Sequence, residues 1–133
     1  MPMGQRSRTG FTLVEVMIVV GIIALLAMIT IPNLLRARIT ANATTAQTSL
    51  RSISTALESY ALANGQYPAT TTPLIGQTPP YLTVDYFTGQ HSGYLFTAVL
   101  AACAYTVTAT PANNGQGLDT FAIATGGVLT TNP

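Results

Sequence analysis

Gly10-Phe11-Thr12-Leu13-Val14-Glu15, together with the apolar run that continues it to Ile31, decides how this chain folds. Between Phe11 and Ile31 the only charged residue is Glu15. Read as a helix, those residues span about 31 Å, the hydrocarbon thickness of a bilayer. Val, Ile, Leu, Met and Ala dominate the run without a polar face, so the helix requires apolar surroundings on every side. A carboxylate in such a helix costs up to about 2.5–3.5 kcal/mol at its centre and less toward an end. Glu15 therefore marks a functional position that calls for a partner, unless it lies among the headgroups and is simply tolerated.

The pattern changes at Pro32, which removes a backbone donor and disfavours helix at Ile31. Such a residue kinks or opens a helix without necessarily ending it. Beyond it Leu35, Ile39, Ala43, Ala46, Leu50, Ile53, Leu57 and Tyr60 recur at spacings of four and three, an apolar stripe on one helix face. Thr40, Asn42, Thr44, Thr45, Gln47, Thr48, Ser49 and Ser52 fill much of the remainder. Asn64-Gly65 is a C-terminal stop. A helix from Phe11 to Asn64 would be about 80 Å long, more than a chain of this size can bury. Its first half needs a membrane or other copies of itself, and its second half needs a sheet.

That sheet follows. Residues 66–93 read as a long connection punctuated by Pro68, Pro73, Gly76, Pro79, Pro80, Gly89 and Gly93. Residues 94–98 and 104–110 alternate as strands, the latter with Tyr105, Val107 and Ala109 on one face. After the turn-rich residues 111–117, residues 118–125 form a third strand with Phe121 and Ile123 on one side. Gly126-Gly127 suits a two-residue hairpin turn into residues 128–131. The expected fold is α+β, a long N-terminal helix on a three- or four-stranded antiparallel sheet. Its segments are 1–10, 11–31, 32–65, 66–93 and 94–133.

Composition narrows the function. The chain has 133 residues, 48% hydrophobic and 7% charged, which excludes ordinary disorder and leaves room for one domain. Five arginines and no lysine give a net charge of +1 and no basic patch for nucleic acid. The one cysteine, Cys103, permits no intrachain disulfide and reads as a small buried hydrophobe.

The order of Gly10, Phe11-Thr-Leu-Val-Glu15, an apolar run and Pro32, behind a short basic leader, resembles the processing site of type IV prepilins and their pseudopilin relatives. The close match covers about Gly10 to Ala37, with Tyr67-Pro68 as a further shared feature. The resemblance implies that a prepilin peptidase cuts between Gly10 and Phe11 and methylates the new amine of Phe11. It implies that Glu15 pairs with the N-terminus of a neighbouring subunit during assembly. The partners implied are the peptidase, the inner-membrane assembly machinery and other copies of the chain in a helical filament. The precursor would span the inner membrane once and the product would lie in an extracellular filament. Many relatives close their distal region with a disulfide, and this sequence departs from that. A signal peptide would be cut after its apolar core. The one A-x-A match, Ala41-Asn42-Ala43, lies well beyond a run already longer than such a core. Arg6 and Arg8 favour an inside N-terminus, and Arg36 and Arg38 weaken that signal.

Other residues carry less. His91 is the only histidine and has no ligand set for zinc. Asp85 and Asp119 are few for a calcium site of six to eight oxygens. No nucleophile motif or phosphate loop occurs, so neither an enzyme nor a cofactor is expected. Phe11, Tyr60, Tyr67, Tyr81, Tyr86, Phe87, Tyr94, Phe96, Tyr105 and Phe121 form an aromatic set better suited to a core than to electron transport, since only Phe11 and Tyr60 fall on the long helix. Residues 69–73 and Asn42-Ala43-Thr44 are candidate glycosylation segments. The main reading is a structural pilus subunit. A minor pilin or type II secretion pseudopilin is the near alternative, and a single-span protein with a periplasmic binding domain the distant one. Adhesion, twitching, DNA uptake, secretion and electron transfer all stay open as roles of the filament.

Overall fold

The computed structural model describes residues 10–132. Of the expected leader only Gly10 is among them; Arg6 and Arg8 lie outside the described residues. α1 is a single helix, Leu13–Asn64, and it runs through Pro32. The chain divides into two units between Leu35 and Arg36, inside α1.

The first unit is apolar helix. It is long and apolar enough to cross a membrane, and its apolar stretch contributes nothing to the buried core. Around Pro32, side chains supply extra donors to the backbone: Thr30 Oγ1 donates to Leu26 O at 2.8 Å and Asn33 Nδ2 to Ile29 O at 3.1 Å. Such side-chain bonds to the carbonyl four residues back compete with the helical ladder and often bend a helix.

The second unit carries the core. Ala46, Leu50, Ile53 and Leu57 of the expected stripe are buried, Ile39, Ala43 and Tyr60 are half-buried, and Leu35 is exposed. α1 ends where Gly65 adopts φ 77°, with Gly65 N donating to Ala61 O, the left-handed stop that glycine takes without steric cost. A short helix α2, Thr72–Ile75, interrupts the connection and buries Leu74. The sheet is an antiparallel meander of five strands in sequence order, one more than expected. They are β1 Gln90–His91, β2 Tyr94–Ala101, β3 Ala104–Pro111, β4 Thr120–Ala124 and β5 Val128–Asn132. The extra strand, β1, is two residues long and lies inside the region read as connection, too short to show alternation. On the inner face Tyr94, Phe96, Tyr105, Val107, Ala109, Phe121 and Ile123 pack with the α1 stripe. Gly117 admits the Tyr94 ring: a Cβ there would fall 2.6 Å from Tyr94 Cζ.

Two local expectations change. Ala101 pairs with Ala104, so β2 and β3 turn through Ala102-Cys103, and the Cys103 thiol is exposed instead of buried. The period-two burial ends before this tight turn, so nothing directs the side chain inward. Between β4 and β5 the turn has three residues, Thr125-Gly126-Gly127, because Ala124 pairs with Val128.

Candidate functional site at the start of the long helix

Thr12 is the residue before the first turn of α1, and it forms a reciprocal hydrogen-bonded box with Glu15. Glu15 N donates to Thr12 Oγ1 at 3.3 Å, while Thr12 N and Thr12 Oγ1 both donate to Glu15 Oε2 at 3.4 Å. The first backbone bond of the helix follows, from Val16 N to Thr12 O at 3.3 Å. A helix start leaves its first amides without intrahelical partners, and a Thr followed three residues later by Glu satisfies two of them. The carboxylate also lies where the helix dipole favours negative charge. Phe11 and Val16, which flank the box, line one shallow apolar cleft with Glu15, Val19 and Val20. Gly10, Phe11 and Thr12 precede the helix, and all three are exposed. The T-x-x-E spacing was open to view in the sequence. That spacing gives the Glu15 carboxylate a partner within its own turn.

The apolar residues that follow are not buried among the described residues of their unit. From Phe11 to Leu35 every residue is exposed except Ala27, which is half-buried. Phe11 is 86% exposed, Met28 74% and Leu25 65%. A surface this apolar marks an interaction face, for lipid or for protein.

A second polar cluster lies in the other unit, around Glu58. Its Oε2 accepts from Tyr67 Oη at 2.9 Å, and its Oε1 from Tyr105 Oη at 3.2 Å and Gly126 N at 3.1 Å. Ser54 Oγ lies 2.7 Å from Tyr105 Oη, and the Tyr67 and Tyr105 rings meet edge to face at 5.0 Å. One carboxylate thereby ties α1 to the connection, to β3 and to the β4–β5 turn. Burial, then the Glu58 hydrogen bond and charge, push the Tyr67 hydroxyl up to about 12. Burial likewise raises Tyr105. The sequence showed Glu58 only as one of four acids; its three donors are far apart in the chain and leave no spacing signal.

The remaining candidates are placed as follows. Asp85 is bonded within its own turn by Phe87 N at 2.9 Å and Thr88 Oγ1 at 2.5 Å, and these bonds hold its carboxyl below the usual range. Among the described residues no three His, Cys, Asp or Glu gather as a metal site. His91 stands in β1 opposite Tyr94, its ring edge-on to Tyr86 at 5.4 Å. Asn42 is half-buried and donates through Nδ2 to Gln116 O at 2.9 Å.

The model of the prokaryotic N-terminal methylation motif matches residues 5–31, and that of the type II secretion system protein G matches residues 33–95. The type II secretion system core protein G of Vibrio cholerae is 45% identical over 66 residues, 50% of this chain and 45% of that protein. Its counterpart from Pseudomonas aeruginosa is 38% identical over 68 residues, 51% of this chain and 48% of that protein. The chain thus spans about half the length of these secretion relatives. The type IV wide pilus major component PilA4 of Thermus thermophilus is 36% identical over 98 residues, 71% of this chain and 75% of that protein. The chain belongs to the type IV pilin and pseudopilin family.

Proposed function

We propose that this chain is a structural filament subunit without a catalytic step of its own. It is made as a precursor that spans the inner membrane once, and it is cut by a prepilin peptidase between Gly10 and Phe11. The new amine of Phe11 is methylated, and assembly proceeds through α1. The observation that carries this reading is the exposure of the apolar residues from Phe11 to Leu35 immediately behind the Gly10-Phe11 bond.

Cleavage creates a positive amine beside an apolar helix that already holds one carboxylate, Glu15. At low-dielectric depth an unpaired charge is penalised, so the amine of one copy and Glu15 of the next select a single stagger. Lipid and packed helices are similarly apolar, so transfer out of the membrane relies on packing, this ion pair and work done by the assembly machinery. A head-to-tail contact that does not close yields a filament. Pro32 is the point at which α1 can bend as copies pack.

Two kinds of filament fit such a subunit. The alignment to a wide-pilus component over three quarters of that protein favours a surface pilus. The match of residues 33–95 to protein G favours a type II secretion pseudopilus at least as well. Intact mass and N-terminal sequencing of sheared cell-surface and membrane fractions test both. Methylated Phe11 abundant in the sheared fraction supports a pilus. The same N-terminus confined to the membrane, with loss of protein secretion on deletion, supports a pseudopilus. A chain that still begins at Met1 overturns both.

A further inference from the structure

We infer that Thr12 is a positioning residue for leader removal, because the hydrogen-bonded box it forms with Glu15 starts the helix at Leu13 and keeps the Gly10-Phe11 bond outside it. The inference rests on the processing proposed above and goes beyond it by giving the substrate's own geometry a part in the reaction. Hydrolysis of this bond adds water across it, hydroxyl to the Gly10 carbonyl and hydrogen to the Phe11 nitrogen. The attacking oxygen must approach the Gly10 carbonyl from one side of the peptide plane. A peptide inside a helix is shielded by the neighbouring turn, and its groups are committed to helical hydrogen bonds. In this chain the first helical acceptor is Thr12 O, one peptide beyond Phe11. Gly10 and Phe11 are exposed and non-helical. Phe11 and Val16, the residues outside and inside the box, line the same open cleft at the two positions a hydrophobic staple uses, with Phe11 86% exposed. The box places the scissile bond just ahead of the first turn of α1, the element held in the membrane beside the peptidase.

The test follows leader removal from the full-length precursor in membrane vesicles that contain the peptidase, alongside membrane insertion of each variant. Thr12→Val keeps the shape and removes the cap; Thr12→Ser and Thr12→Asn keep a capping oxygen. The expected result is cleavage slowed about fivefold or more in Thr12→Val at unchanged insertion, the population change an ordinary helix cap commands. Thr12→Ser and Thr12→Asn should be cleaved at close to the parental rate. Parental cleavage of Thr12→Val overturns the inference. So does slow cleavage of Thr12→Asn, which would mean that the peptidase reads the threonine side chain itself. If the unaltered chain is not cut at Gly10-Phe11, the processing reading fails instead, so the two failures are distinct.

Discussion

Glu15 accepts both Thr12 hydrogen bonds on one oxygen, Oε2, so these local bonds and the intermolecular role proposed for it can be separated by substitution. Glutamine fills the third helical position of such a box as well as glutamate does, yet carries no charge. Glu15→Gln should keep the helix start and leader removal while sharply reducing sheared filament yield. Glu15→Ala should reduce yield as far and also speed amide exchange at Glu15 and Val16. Equal exchange in the two variants would remove the box from the account of Glu15. At the other cluster, Tyr67→Phe deletes the hydroxyl bonded to Glu58 and leaves the ring against Tyr105. It should cost about 1 kcal/mol, read by thermal or denaturant unfolding, since hydrogen bonds to charged groups are among the stronger ones and Tyr67 is half-buried.

α1 shows which physical signals are local and which are not. Its apolar half, its stripe and its glycine stop were legible because they are, in turn, a continuous apolar run, a pattern of period 3.6 and a single punctuating residue. Strands β2 to β5 were legible through alternation and turn residues. β1 was not, because two residues carry no period and Gln90 and His91 have no strand bias. Cys103 was misread for the opposite reason: composition places cysteine inside, while its position in a tight turn places it outside. Ser54 is buried though polar, and only its contact with Tyr105 explains that. Of the candidate site, Gly10, Phe11 and Glu15 stand out in the sequence, whereas the bonds that Thr12 and Glu58 make are seen only in the structure. Within α1, Leu50 is 0% exposed at the centre of the helix–sheet contact. Leu50→Ala should destabilise the second unit by about 2–5 kcal/mol and lower its Tm by at least about 8 °C.

On the scale of the whole molecule, the two units answer to different solvents. Ile23→Arg puts a charge near the middle of the apolar segment and should cost about 2.5–3.5 kcal/mol of insertion. Alkaline extraction of membranes should then release more of the variant than of the parent, while unfolding of the second unit stays unchanged. The second unit responds to pH. Tyr67 binds its proton more tightly folded, at about 12, than its ordinary value of 10.0. Its contribution is therefore complete below pH 10 and is lost as pH rises from 10 to about 12. Unfolding followed across that window should show stability falling, and Tyr67→Phe should flatten the fall.

The bond from Gly126 N to Glu58 joins residues 68 positions apart. A ribosome adds about 5–20 residues each second, so Glu58 is made roughly 3–14 s before its last donor. For that interval the carboxylate has no β4–β5 turn to hold, and the buried face of α1 has only part of the sheet to cover it. The hairpins of the meander close locally and quickly, but their docking onto α1 waits for the end of synthesis. The unfinished subunit is thus at its most adhesive while still emerging, and a copy arrested at that stage would carry two apolar helix surfaces instead of one.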